Sequence, residues 1–229
     1  VASDGSERFP YNEAGFPVRA LDGNLSVFPG YAAACHWHPE FELLLVREGA
    51  LCYFVNGETV PVKAGEAIFV NANRLHYGFS PVRGECLYSF LLFGPSLLGE
   101  PTVPARLLAG SLAADGEADY ALLKPESRAD RQPLSLLRQA LKRCQAREPY
   151  YEADVQADCL RLVAALCRKL RPGADRAAPD PSWEILRRMV GYLQENYREP
   201  ILLKEIAAAG AVCRSRCCQL FREYLHVTP

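Results

Sequence analysis

The sequence lacks the segments that would place a protein in a membrane or outside the cell. No apolar run reaches the roughly 20 residues that a membrane-spanning helix needs, and no basic and apolar signal segment opens the chain. Its nine cysteines include no CxxC pair, and their irregular spacing is typical of reduced thiols. These absences predict a cytoplasmic protein with no membrane partner.

The chain also lacks a strong net charge. The formal charge is −1 over 229 residues, of which 49% are apolar and 23% charged, so the composition is that of an ordinary globular protein. The charge is uneven, however, with a net of −4 in residues 1–99 and +2 in residues 182–229. A slightly basic C-terminal segment permits nucleic-acid binding but does not establish it.

The first part of the chain has the pattern of short β-strands. Asn56-Gly57 separates two strand-like runs and is a strong hairpin signal, because both residues tolerate positive φ. The predicted strands cover residues 41–47, 51–55, 58–62, 67–70 and 86–93. Many short strands at this spacing predict a closed barrel or a sandwich.

From about residue 100 the apolar residues recur at helical spacing instead. Two apolar stripes meet near Glu148-Pro149 and predict a helical hairpin, which must pack on the barrel, on a second copy of the chain, or on both. The sequence thus predicts an α+β protein in four parts. These are a barrel with an N-terminal arm (1–99), a helical hairpin or dimerisation region (100–171), a linker (172–181) and a further helical unit (182–229), which begins with a helix capped by Ser182.

The strand region contains the spacing G-x5-H-x-H-x3-E-x6-G, which runs from Gly30 to Gly49. His36, His38 and Glu42 stand at even intervals, so a regular strand directs all three side chains to one face, and His76 arrives from a later strand. Trp37 should face the opposite side and pack under the helices. We expect odd and even positions of one strand not to line the same cavity.

Three imidazoles and one carboxylate are suitable ligands for a divalent metal such as Zn, Ni, Mn or Fe(II). The pattern leaves two alternatives open. In the first, the pocket holds an organic effector without metal. In the second, the histidines are hydrogen-bonded core residues.

At these residues the sequence resembles the cupin superfamily. The first cupin motif is matched at every fixed position. The second is matched in part, since Gly65 and His76 are present while Asn71 and Asn73 replace the usual Pro and Gly, and Ser80 replaces Asn. The resemblance implies a double-stranded β-helix (jelly-roll) barrel. Asn tolerates turn geometry, so the bend is expected to survive the replacement.

Residues 203–225 fit the pattern of a helix-turn-helix. Gly210 permits a sharp turn, Val212 fills the space between the helices, and Cys213 stands at the N-cap of the second helix. The inward face of that helix is formed by Cys217, Leu220, Phe221 and Tyr224.

This segment and its ending Val-Thr-Pro are similar to the arabinose-regulator (AraC/XylS) family. The resemblance implies base contacts from Ser215, Cys218 and Gln219, and phosphate contacts from Arg214 and Arg216. Family members carry two such units joined by a long helix, and the sequence stops at Pro229, where that helix is expected to begin.

Together these features predict a DNA-binding transcriptional regulator, active as a homodimer, that senses a small molecule or a metal in its barrel and is not an enzyme. Occupancy of the barrel is expected to act through the helical hairpin or the N-terminal arm. The alternative is a metal-dependent cupin enzyme.

Overall fold

The structure is a computed structural model that describes residues 10–99, 118–170, 182–196, 200–225 and 228–229. Its strands are β1 Val18–Asn24, β2 Phe41–Val55, β3 Glu58–Lys63, β4 Ala67–Val70, β5 His76–Phe79, β6 Cys86–Phe93 and β7 Tyr120–Leu123. Its α-helices are α1 Arg131–Ala146, α2 Tyr151–Lys169, α3 Ser182–Asn196, α4 Leu203–Ala209 and α5 Arg214–Leu220, the last extended by a π-helical turn, Phe221–Leu225. The predicted α+β class is confirmed.

All the strand pairs are antiparallel, and the long strand β2 connects two sheets. Residues 41–46 of β2 pair with β4 on one side and β6 on the other, in a sheet of order β1-β6-β2-β4-β7. Residues 50–55 pair instead with β3 and β5. Strand β7 lies in the region that the sequence assigned to the helical hairpin, and no pattern predicted it.

A bulge within β2 reverses the alternation of its side chains. The pairing with β6 shifts register between Val46 and Glu48, and Gly49 follows with φ +77°. One buried cluster contains even-numbered β2 residues before the bulge and odd-numbered ones after it: Leu44, Val46, Leu51, Tyr53 and Val55. The expectation that odd and even positions cannot line one cavity is therefore wrong, because one extra residue shifts the two-residue period.

The hairpin predicted at Asn56-Gly57 is confirmed. Val55 pairs with Glu58, and the two turn residues have φ of +43° and +93°. Such values match a turn in which both central residues are left-handed.

The helical hairpin packs on the barrel, as two of the three predicted possibilities require. Helices α1 and α2 and the sheet residues beneath them form one core. Its members include Phe41, Leu43, Phe69, Phe93, Leu134, Leu137, Leu141, Val155, Cys159, Leu162 and Leu166. Two buried aspartates tie the hairpin together, since Asp158 pairs with Arg143 and Asp130 lies 2.7 Å from Nζ of Lys169.

The C-terminal helices α3, α4 and α5 form a separate core. The inward face predicted for the second helix is confirmed at Cys217, Leu220 and Phe221, which are buried. This core also includes Leu75 from the barrel, with Cys35 and Trp37 packed against it. The helical unit and the barrel therefore share apolar packing.

The predicted linker 172–181 and residues 1–9 of the predicted arm lie outside the described residues. In the ranges that are described, no helix is long and apolar enough to cross a membrane. No disulfide joins any two of the nine cysteines, all of which lie in those ranges.

Candidate metal centre and nucleic-acid interface

Four polar side chains converge inside the barrel. Glu42 comes from β2, His76 begins β5, and His36 and His38 lie on the extended segment before β2. Two backbone hydrogen bonds of 3.1 and 2.8 Å between His36 and His76 hold their segments side by side. All four residues are buried, and one ligand atom from each lies within 4.8 Å of the others. The structure thus brings together every residue that the sequence predicts as a metal ligand.

The three imidazoles are oriented by backbone carbonyl groups. Each Nδ1 lies 2.7 to 3.2 Å from the carbonyl oxygen of a residue two positions away. A carbonyl only accepts hydrogen bonds, so each Nδ1 carries a hydrogen and Nε2 is the ring nitrogen left for the interior of the cluster. The Nε2 atoms of His38 and His76 lie 3.3 and 3.5 Å from Oε2 of Glu42. Backbone groups of this kind orient histidine ligands in metal sites.

The charge state of the cluster follows from its surroundings. Burial alone would raise the pKa of Glu42, but the neighbouring His76 and His38 outweigh burial and hold that pKa well below its usual range. Burial, reinforced by His76, lowers the pKa of His36 to about 3. Tyr53 donates a hydrogen bond to Oε1 of Glu42. An ionised carboxylate and a neutral imidazole therefore coexist at neutral pH.

This donor set fits a divalent transition metal. Three imidazole nitrogens and one carboxylate oxygen are ligands that Zn, Ni, Mn and Fe(II) all accept, and they leave coordination positions open. The barrel therefore contains a buried group of three histidines and one glutamate that can hold a metal.

A cavity of about 530 Å³ opens beside the cluster, and its volume is typical of small-molecule sites. The polar side chains of its lining come from His36, Glu42, Tyr53 and Tyr88. The rest of the lining consists of apolar residues and glycine: Leu25, Phe28, Pro29, Ala32, Ala33, Ala34, Leu44, Leu51, Gly78, Phe90 and Leu92.

Sequence reasoning missed the two tyrosines of this cavity. Tyr53 has the opposite parity to Glu42 and reaches it only because of the bulge in β2. The Gly49 break in an otherwise apolar strand was the signal that could have indicated a bulge. Tyr88 belongs to β6, and burial, assisted by Glu42, raises its pKa to about 12, so it keeps its proton.

The turn between α4 and α5 has the close packing that a helix-turn-helix requires. The backbone N–H of Val212 donates to the carbonyl of Ala207 at 3.0 Å. A Cβ on Gly210 would lie only 2.7 Å from Cγ of Met189, so helix α3 packs directly on this turn. Cys213 occupies the N-cap position of α5 without a side-chain cap.

Most residues predicted to contact DNA lie on the accessible side of α5. Three are exposed and one is partly exposed: Arg214, Ser215, Gln219 and Cys218. Arg216 is also partly exposed, but its guanidinium is already engaged, since it donates to Oγ of Ser182 at 3.0 Å. Gln219 donates to Glu223 at 2.7 Å, a pairing that it would exchange on contact with a base.

The helical unit packs on the reverse side of the segments that carry the histidines. Leu75, which precedes His76, is fully buried in the helical core, and Trp37 packs there as predicted. Arg187 of α3 donates to the carbonyl of Asn73 at 3.1 Å, and its guanidinium carbon lies 5.3 Å from the Trp37 ring centroid. Helix α3 and the histidine-bearing segments are therefore in direct contact. The sequence analysis considered only the helical hairpin and the N-terminal arm as elements through which the barrel could act.

Fold and site together define a sensor domain of the AraC type. The family profile described as AraC-like ligand binding domain matches residues 20–163, more than half of the chain. The chain belongs to this family.

Among relatives, the chain is 23% identical over 198 residues to the uncharacterized HTH-type transcriptional regulator YdeC of Bacillus subtilis (strain 168). The match covers 85% of this chain but only 66% of that protein's length.

Two solved structures resemble the chain more distantly. The AraC-like transcriptional activator CuxR shares 16% identity, with 90% of this chain and 67% of that chain covered and a TM-score of 0.38. An apo ToxT variant from Vibrio cholerae shares 11% identity, with 95% of this chain and 97% of that chain covered and a TM-score of 0.47.

Proposed function

We propose that this protein is a DNA-binding transcriptional regulator that senses a small molecule at a metal site in its barrel. The observation that carries this proposal is that the pocket and the helix-turn-helix are built on opposite sides of the same two backbone segments. Membership of the AraC-like ligand-binding family and the similarity to an HTH-type regulator support it.

The two segments alternate between the pocket and the helices. His36 and His38 belong to the buried cluster, whereas Cys35 and Trp37 contact the helical core. In the neighbouring segment Leu75 packs among the helices and precedes His76. A ligand that moves these imidazoles must therefore also move the surface on which helix α3 rests. Such a ligand shifts the helices if it binds one of their arrangements more tightly than another.

The metal is the finer part of the proposal. His36, His38, Glu42 and His76 would hold a divalent ion such as Zn, Ni, Mn or Fe(II), which supplies positive charge and open coordination positions to a small effector. Three Nδ1 groups fixed by carbonyls and an ionised Glu42 support this assignment.

The DNA contacts would come from α5. Ser215, Cys218 and Gln219 would read bases, and Arg214 would bind a phosphate. Arg216 contributes less to this assignment, because Ser182 already engages its guanidinium. We further propose that the protein acts as a homodimer in the cytoplasm, since paired half-sites double the contacts with DNA.

The test starts by selecting binding sites from random DNA with the full zinc-loaded chain. Affinity for the enriched site is then measured at fixed salt, with zinc and after chelation. We expect metal removal to change the affinity by about fivefold or more, the usual lower range for coupled sites. Gln219→Ala should relax sequence preference, and Arg214→Ala should weaken binding to all sequences and lower the salt slope by about one.

Arg161→Ala is the control for Arg214→Ala, because Arg161 is exposed on α2, far along the chain from α5. Equal affinities of these two variants, or no enrichment of DNA by the loaded chain, would refute the DNA-binding proposal. Arg187→Ala should reduce the response to zinc, whereas Arg188→Ala, on an exposed position of the same helix, should preserve it. Equal responses would refute the coupling route.

A further inference from the structure

We infer that the barrel cavity takes a small molecule with an apolar body and one anionic oxygen donor, which faces the His36 and Glu42 end. This inference rests on the proposed metal-bound function of the same site and deepens it by naming the chemical class of the effector.

The walls of the cavity favour an apolar body. Leu44, Leu51 and Leu92 line it from the strands, and Phe28 and Phe90 add aromatic surface. A sugar carries several hydroxyl groups, and each one left unpaired against such walls weakens binding. His36, Glu42 and Tyr53 meet at one end of the cavity, where Tyr53 is already committed to Glu42. The cavity therefore discriminates against polyhydroxylated molecules.

The cluster favours an anionic oxygen donor on that body. None of the described residues that line the cavity is lysine or arginine. With a divalent ion, the neutral imidazoles and one carboxylate leave a net positive charge and an open position. An anionic oxygen neutralises this charge.

The segment at residues 28–34 forms the more accessible wall of the cavity. Phe28 lines the cavity and is half-buried, whereas the preceding Val27 does not line it and is 66% exposed. Two adjacent apolar residues thus differ in their contact with the cavity, which provides a matched pair of positions for substitution.

The test uses cobalt-loaded full chain, since the visible absorption of bound cobalt reports a new ligand. Three probes share one ring: cyclohexanecarboxylate, its neutral amide cyclohexanecarboxamide, and the tetrahydroxylated quinate. We expect cyclohexanecarboxylate to bind and to shift the cobalt absorption. Quinate should bind at least about 100-fold more weakly, because its hydroxyls find too few partners. The amide should bind at least about tenfold more weakly, because it lacks the charge.

The variants locate the binding. Phe28→Ser should weaken cyclohexanecarboxylate binding by about fivefold or more at unchanged cobalt content, because it removes apolar wall. Val27→Ser should leave the affinity as it is in the original chain. Equal affinities of the two variants would overturn the assignment to this cavity.

The outcomes separate this inference from the proposed function beneath it. If cobalt binds and quinate binds as tightly as cyclohexanecarboxylate, or if no probe binds, the apolar class is wrong and the metal site stands. If the carboxylate binds equally well without cobalt, or no better than the amide, the metal-facing donor is wrong. If no cobalt binds, the proposed metal site itself fails and this inference fails with it.

Discussion

Replacing Tyr53 with phenylalanine removes one hydroxyl group and tests how the cluster is supported. That hydroxyl donates to Glu42, and the two residues are only 4% and 5% exposed. A hydrogen bond to a charged group contributes about 1.5–3 kcal/mol. We expect Tyr53→Phe to lower the free energy of unfolding of the metal-free protein by about this amount.

The same substitution should weaken metal binding. Glu42 without its donor is free to turn away from the imidazoles, and loss of such an outer contact usually lowers metal affinity by about 10- to 100-fold. Urea unfolding of the metal-free chain measures the stability, and competition against a coloured zinc chelator measures the affinity.

Tyr88→Phe is the matched control. Tyr88 lines the same cavity and is 8% exposed, and its surroundings include Glu42 but no hydrogen bond to it among the described contacts. We expect the zinc affinity of Tyr88→Phe to stay within about threefold of that of the original chain. This change is smaller than the one usually caused by losing a hydrogen bond to a metal ligand. Equal zinc affinities for the two variants would refute the role of Tyr53 in positioning Glu42.

Two further predictions concern the scaffold. Asp130 accepts a hydrogen bond from the backbone N–H of Lys124 and pairs with the ammonium group of Lys169. Burial raises the pKa of Asp130, but these partners outweigh burial and hold that pKa below its usual value. The contribution of ionised Asp130 to the free energy of unfolding is therefore present at neutral pH, and it is lost as the pH falls through the lowered pKa. Asp130→Asn should reduce stability at pH 7 by about 2 kcal/mol and flatten this acid dependence in urea titrations. Gly49→Ala places a Cβ 2.3 Å from the carbonyl oxygen of Glu85 at φ +77°, whereas Gly65→Ala at φ +85° has no atom nearer than 3.8 Å. Thermal unfolding should show a loss of about 1–2 kcal/mol for Gly65→Ala and a clearly larger one for Gly49→Ala; equal losses would contradict the overlap.

The direct contact between barrel and helices changes how the sensor would act. The apolar stripe of the helical hairpin packs against the sheet, so the hairpin buries one apolar face of the barrel. Helix α3 instead rests on Trp37 and on the carbonyl of Asn73, three residues before His76. The cluster and the helical unit therefore contact opposite sides of the same backbone segments, and no other element lies between them along this route.

The sequence alone determined those features that depend on local periodicity. The H-x-H-x3-E spacing, the Asn-Gly hairpin and the apolar stripes of α1 and α2 all follow from the geometry of one strand, one turn or one helix. The structure confirms the hairpin and both helices, and it places the four predicted ligands together. Even Asn73, at a position where cupins usually have glycine, adopts the left-handed φ of +59° that its side chain tolerates.

Only the tertiary structure decided which distant residues meet. The bulge in β2 brought odd-numbered Tyr53 to Glu42, because one inserted residue changes the face of every side chain after it. Ser182 captured Arg216, and Leu75 entered the helical core, through contacts between segments that no short-range pattern relates. Periodicity specifies the direction of a side chain within its own element. The residue that the side chain meets depends on how the elements pack, and that packing created the apolar cavity beside the cluster.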